Sequence, residues 1–218
     1  MLSTSEENYI KTIYHLAQQD SPDVSTNSIA GRLNTKASSV TDMIKKLADK
    51  GLVNYQKYQG VSLTETGIHT AKMIVRKHRL WEVFLVEKLN FNWDEVHEVA
   101  EQLEHIQSEK LIKRLDAFLG YPKEDPHGDP IPDADGEIVS VQKILLSELE
   151  IGQGGVCVGV KDTSPSFLQY LDKQKVSLGT KIKILSKELF DQSVTVLIGN
   201  RELVFSKMVS NNIYIKNN

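Results

Sequence analysis

The sequence predicts a multidomain α+β chain: an N-terminal winged helix-turn-helix, an all-helical middle and a small C-terminal β-barrel. Three observations predict it. Apolar residues recur at helical spacing up to about residue 119, apart from one hairpin-like pair of strands. Beyond Ile138 they alternate at strand spacing. Between the two lies Pro122 to Gly136, which holds four of the six prolines and two glycines and reads as a linker or ordered loop. The expected borders are 1–73, 74–140 and 141–218, within the reach of 218 residues.

Residues 4–19 carry an apolar stripe of Tyr9, Ile10, Ile13, Tyr14, Leu16 and Ala17, with Thr4 and Glu7 at capping-box spacing. Asp20-Ser21-Pro22-Asp23 breaks this helix. Ser25 or Thr26 caps a short second helix through Leu33, and Asn34-Thr35 is the turn. A third helix from Ala37 to Lys50 is stopped by Gly51. Leu52–Tyr55 and Val61–Thr64 alternate as a hairpin. Helix, turn, helix and hairpin together make the winged form of the motif. A long helix is expected over 65–89, an acidic helix from Asn92-Trp93-Asp94 to about Ser108, and another over 109–119. In the tail, Val156, Val158 and Val160 alternate, as do Ile182/Ile184, Val194/Val196/Ile198 and Leu203/Phe205; a short helix, Ser166 to Asp172, interrupts them.

The net charge of −3 hides an asymmetry. From Gly31 to Gly60, Arg32, Lys36, Lys45, Lys46, Lys50 and Lys57 face only Asp42 and Asp49; from Asp94 to Glu109 there are six acids and no Lys or Arg. The basic window coincides with the helix-turn-helix, so duplex DNA is the expected partner. Ser38, Ser39 and Thr41, at the start of the reading helix, suit close approach to phosphates or base edges. Lys36, Lys45, Lys46 and Lys57 add phosphate contacts, and Asp42 either accepts from cytosine or repels phosphate. Cys157 is the single cysteine, which excludes an intrachain disulfide and a Cys-rich zinc site; it reads as a small buried hydrophobe. No apolar run approaches ~20 residues and the first nine residues are polar and acidic, so a cytoplasmic protein with no membrane partner is expected.

Within the acidic helix, His97, Glu101, Glu104 and His105 would share a wedge about 100° wide, and His78 and Glu82 stand one turn apart on the preceding helix. Clustered carboxylates are costly unless a cation neutralises them. Oxygen and imidazole donors without thiolate suit Mn²⁺ or Fe²⁺. A solvated acidic face is the plainer alternative.

Several segments together carry a resemblance: Glu6-Glu7-Asn8-Tyr9-Ile10-Lys11-Thr12-Ile13-Tyr14, Ser38-Ser39-Val40-Thr41, Arg76-Lys77-His78-Arg79-Leu80-Trp81-Glu82, Val96 to His105, and Pro126-His127-Gly128-Asp129-Pro130-Ile131-Pro132. The chain resembles the diphtheria-toxin-repressor family of metal-dependent transcriptional repressors, especially its manganese-responsive branch, and its tail resembles the SH3-like (FeoA-type) third domain of longer members. The resemblance implies a homodimeric repressor of metal-uptake genes that binds a palindromic double-stranded DNA operator, takes no small organic substrate, and holds two metal ions per subunit. The primary set would be Glu101, Glu104 and His105 with a first-helix residue; the ancillary set would be His78, Glu82 and His97, completed by the third domain. Glu101 stands where iron-responsive members carry Cys, which favours Mn²⁺ over Fe²⁺. The first-helix ligand, usually Met or Asp, is Asn8, which brings no charge. Asp125 is the expected replacement charge in the primary set, unless it caps its own loop. Asp162 is the chemically best third-domain ligand.

A di-metal carboxylate enzyme is the rival from another class, but it wants Glu-x-x-His on two helices, and neither Glu101–His105 nor Glu104–His105 has that spacing. A winged-helix regulator answering to an organic ligand is a second rival, distinguished by metal-independent DNA binding.

Overall fold

The computed structural model describes residues 1–19, 21–56, 60–139 and 142–217. The chain packs as two compact units. The first comprises residues 1–78, 101–113 and 132–137, and the second comprises 79–100, 114–131 and 138–218.

The first unit is built on α1 (Thr4–Gln19), α2 (Thr26–Arg32), α3 (Ala37–Asp49), the hairpin β1 (Val53–Gln56) and β2 (Gly60–Leu63), and the start of α4 (Glu65–Leu89). Tyr9, Ile10, Ile13 and Tyr14 are the buried apolar residues of α1. They meet Ile29 of α2, Val40, Ile44 and Leu47 of α3, Val53 and Val61 of the hairpin, and Ala71 and Ile74 of α4 in one core. The capping box of α1 is Ser3 with Glu6 rather than Thr4 with Glu7. Ser3 N–H donates to Glu6 Oε2 (2.8 Å) and Glu6 N–H to Ser3 Oγ (3.3 Å). Ser25 caps α2 by accepting from Ser28 N–H at 3.0 Å. Asn34, at φ 48, makes the turn into α3. Gly51, at φ +69, ends α3, its N–H bonding Ala48 O at 2.8 Å. β1 and β2 pair antiparallel, Val53 opposite Leu63, and a bridge from Val24 to Val61 ties the hairpin to the start of α2.

The acidic helix is shorter than its pattern predicts. α5 spans Val96–Leu103 and stops one residue before Glu104. Ile106 N–H turns back to Leu103 O at 3.1 Å, so Glu104 and His105 lie in a turn. The expected wedge of four ligands on one helix face is therefore replaced by two residues on the helix and two beyond its end. α6 (Glu109–Phe118) follows.

The second unit carries an antiparallel sheet of β3 (Ile144–Leu145), β4 (Gly154–Val160), β5 (Lys181–Lys187), β6 (Val194–Ile198), β7 (Arg201–Phe205) and β8 (Ile213–Asn217), in the order β3-β8-β4-β5-β6-β7. α7 (Pro165–Gln174) and the short α8 (Lys207–Ser210) complete it. A register shift between Cys157 and Gly159 breaks the simple alternation of β4. Cys157 joins Ile182, Val196, Ile213 and Ile215 in the core while Val156 and Val158 are only half-buried, and the shift brings Val160 into the core as well. No helix among the described residues is long and apolar enough to cross a membrane.

Glu6 also joins α1 to α3. Its carboxylate takes Lys50 Nζ at 2.6 Å and Lys46 Nζ at 3.3 Å. The Lys50 bond, then the Ser3 amide, hold its carboxyl down to about 2, from an ordinary 4.5. A carboxyl lowered by folding stabilises fully above the unfolded value and loses that contribution as pH falls from about 4.5 towards 2. Glu6→Gln is expected to cost about 1–3 kcal/mol in denaturant unfolding at neutral pH and to flatten the acid limb between those values. An unchanged acid limb would contradict the tie.

Candidate metal centres and nucleic-acid interface

The reading helix α3 presents an open polar edge. Lys36, Ser38, Ser39, Asp42, Lys45 and Lys46 are exposed, while Val40, Ile44 and Leu47 hold the helix to the core. Thr41 is half-buried, and its hydroxyl donates back to Ala37 O at 3.0 Å. Lys46 is shared with Glu6. Lys57 lies outside the described residues. Seven of the eight expected contacts thus lie on α3 or at its N-cap.

A polar network runs through the first unit. Glu104, wholly buried, accepts from Lys11 Nζ at 2.7 and 2.8 Å on its two oxygens and from His78 Nδ1 at 2.6 Å. Lys11 also reaches Glu101 Oε1 at 3.6 Å. His105 Nδ1 donates to Glu7 Oε2 at 2.6 Å and its Nε2 lies 3.8 Å from Glu104 Oε1. Gln107 Nε2 donates to Glu7 Oε1 at 2.6 Å, and Lys77 Nζ lies 3.6 Å from it. Burial pushes the Glu104 carboxyl up, but the His78 bond and the Lys11 charge outweigh it and leave Glu104 below the usual range. Glu101, Glu104 and His105 are thus brought to one network facing α1. Asn8 is half-buried on that helix. Glu7, Lys11 and Gln107 were not among the expected site residues. Glu7 and Lys11 stand at i, i+4, a spacing that puts both on one face.

A second cluster lies in the other unit. Carboxylate oxygens of Glu82 and Asp125 and a ring nitrogen of His127 lie within 4.8 Å of one another, all three residues buried. Glu82 Oε1 is 3.5 Å from His97 Nδ1 and its Oε2 is 3.9 Å from His127 Nδ1, so it stands between two imidazoles. His78 precedes Glu82 by one helical turn on α4. Asp125 makes the loop cap that the sequence offered as its alternative role. Its carboxylate groups with Glu82 and His127, and it caps its own loop, Oδ1 accepting from His127 N–H (2.8 Å) and Asp129 N–H (3.0 Å). Burial, then the neighbouring Glu82 and Asp129, push its carboxyl up to about 7, against the pull of Arg79. Asp162 is not a member of this cluster; its Oδ1 accepts from Ser164 N–H at 2.8 Å, ahead of α7. His127 is not among the expected ligands; the sequence signal for it is a histidine two residues from Asp125, in Pro126-His127-Gly128.

The C-terminal sheet holds His127 in place. Val160 N–H donates to His127 O at 2.9 Å, His127 Nε2 bonds Trp93 O at 2.8 Å, and the two rings stack with centroids 6.1 Å apart. Trp93 Nε1–H donates to Asp172 of α7 at 3.0 Å. Next to His127, Gly128 at φ +82 passes so near β4 that a Cβ there would sit 1.9 Å from Val158 O.

The metal chemistry fits these residues. Both sets offer carboxylate oxygens and imidazole nitrogens without sulfur; the second brings three ligand atoms within 4.8 Å of one another, and in the first the buried Glu104 carboxylate is engaged by Lys11 and His78.

Three family models match this chain. Residues 1–61 match the iron dependent repressor N-terminal DNA binding domain, 64–133 match the iron dependent repressor metal binding and dimerisation domain, and 144–217 match the FeoA domain. A solved manganese-dependent transcriptional repressor in complex with manganese is 35% identical and superposes with a TM-score of 0.85, covering 98% of this chain and 100% of its own. The chain belongs to the diphtheria-toxin-repressor family. It is a metal-dependent transcriptional repressor and not an enzyme. An uncharacterized HTH-type transcriptional regulator of Methanocaldococcus jannaschii is 41% identical over 118 residues, 54% of this chain and 94% of that protein. The iron-dependent repressor IdeR of Mycobacterium tuberculosis is 34% identical over 131 residues, 60% of this chain; the match spans 56% of the mycobacterial protein. Manganese-dependent and iron-dependent relatives thus both resemble this repressor.

Gly128→Ala is expected to lower stability by at least about 2 kcal/mol, because the new methyl meets backbone that cannot yield. An unchanged denaturation midpoint would contradict the close approach of this loop to β4.

Proposed function

We infer that this repressor is activated by Mn²⁺, acts as a cytoplasmic homodimer, and reads a palindromic operator of metal-uptake genes. The observation that carries the metal assignment is the network around Glu104. It joins α1, part of the winged-helix core, to the turn after α5, using only oxygen and nitrogen donors. Glu101 supplies a hard oxygen where a thiolate would favour a softer ion.

We assign Glu101, Glu104 and His105 to a primary site, with Asn8 of α1 as the neutral fourth candidate. Glu82 and His97 with His78 make the ancillary site expected from the sequence. Asp125 and His127 enlarge its donor set around Glu82, and Asp162 is the remaining third-domain candidate. A bound metal ion would supply positive charge to the buried Glu104 carboxylate and to Glu101 one turn before it. The chain's own part is to place Glu101 on α5 and Glu104 in the turn after it, both within reach of Lys11 on α1. Fixing α1 fixes a helix that shares one core with α3, Ile10 and Ile44 both belonging to it. Metal promotes DNA binding only as far as it favours that arrangement over looser ones.

For the functional parts we keep the division into a reading segment (1–73), a sensing and dimerising segment (74–140) and a third domain (141–218). Exposed Leu89, Phe118 and Tyr121 supply apolar surface for a second copy. An isologous pair of reading helices suits a palindrome.

Fluorescence anisotropy on the gene's own upstream DNA at fixed salt tests this reading. Mn²⁺ is expected to tighten binding at least ten-fold over chelator, with Fe²⁺ under anaerobic conditions weaker. Glu104→Gln is expected to remove the metal effect. Equal affinity with Mn²⁺ and with chelator would overturn the reading.

A further inference from the structure

Lys11 is the unusual member of the Glu104 network. Its ammonium lies within 2.8 Å of both Glu104 oxygens and 3.6 Å from Glu101 Oε1. Its side chain is only 12% exposed and that of Glu104 1%, so the pair is shielded from water and salt. Glu104 is therefore already served by a cation, one belonging to the chain itself. We propose that Lys11 is a tethered counter-cation that competes with the divalent ion for Glu104 and Glu101, and so sets the metal concentration at which the repressor responds. The proposal rests on the metal-sensing reading above and adds to it a residue outside the ligand set.

Charge accounting supports it. Glu7, Glu101 and Glu104 bring three negative charges to this network, and Lys11 and Lys77 return two positive ones. Withdrawing Lys11 removes one positive charge from beside Glu104 and Glu101, which makes the locus more favourable for a divalent cation. Geometry points the same way: a metal bonded to either Glu104 oxygen would lie beside the ammonium that now holds both, and two cations that close repel strongly in a buried site. Metal entry is then an exchange, with the ammonium leaving as the ion arrives. The same contact gives the metal-free chain an internal tie from α1 to Glu104 that a neutral residue at position 11 would weaken. Asn8, one turn before Lys11 on α1, adds no negative charge to offset it.

Calorimetric titration of the metal-free full chain with Mn²⁺ at constant pH tests the proposal. Wild type is compared with Lys11→Gln, and Glu104→Gln in each background marks the site. Lys11→Gln is expected to bind at the Glu104-dependent site at least ten-fold more tightly, while its metal-free form melts at lower temperature than wild type. Lys11→Met is the second variant and should tighten likewise. Lys11→Arg keeps the charge and should stay near wild-type affinity. If Lys11→Gln and Lys11→Met bind no more tightly than wild type while Glu104→Gln removes the site, the competition is wrong and metal sensing stands. If Lys11→Arg tightens as much as Lys11→Gln, the charge is not the cause and the proposal falls. If no background shows Glu104-dependent binding, the proposal and the metal-sensing reading fall together.

Discussion

A buried carboxylate needs a cation or several donors, and much of the sensing half of this molecule follows from meeting that need for Glu104. Glu104 is wholly buried at the end of α5 and is met by Lys11 from α1 and His78 from α4. Three segments distant in sequence are held at one point by charge rather than by apolar contact. Under the proposed reading, such a junction responds to the identity of the cation that fills it. A core of leucines could not be; a network of carboxylates, imidazoles and ammoniums can.

The second cluster applies the same constraint with a different support. Glu82 and Asp125 are buried together, and the carboxyl of Asp125 is pushed up towards neutrality by that burial and by Glu82. Their imidazole partner, His127, is fixed by the C-terminal sheet through Val160 and by Trp93. The third domain thus has a structural part in the site through the backbone of one loop, even with Asp162 engaged at the start of α7. Gly128 makes this possible: only a residue without Cβ lets the loop lie against β4 in a left-handed conformation.

The winged helix could be read from sequence because its signals are local. Ser25 caps α2, Asn34 turns, Gly51 stops α3, and the apolar spacing fixes which faces meet. The face of α3 was equally readable. The acidic helix misled because periodicity continues past the point where the backbone leaves the helix. Nothing in the local pattern of Glu104 and His105 says that Lys11 and Glu7, more than ninety residues earlier, draw them into a turn. The grouping of Asp125 with Glu82 and His127 is long-range in the same way: the sequence offers Asp125 as a loop cap or a ligand, and only the fold brings Glu82 to it. β4 shows a third limit, since the shift between Cys157 and Gly159 exchanges its inward and outward residues without any change in composition.

The most direct test of the account is anomalous diffraction at the manganese edge from crystals of the full chain grown with Mn²⁺. The account predicts one peak within bonding distance of Glu101, Glu104 and His105, with the Lys11 ammonium moved off Glu104, and another at Glu82, Asp125 and His127. Manganese elsewhere, with Lys11 still seated on both oxygens of Glu104, would contradict it.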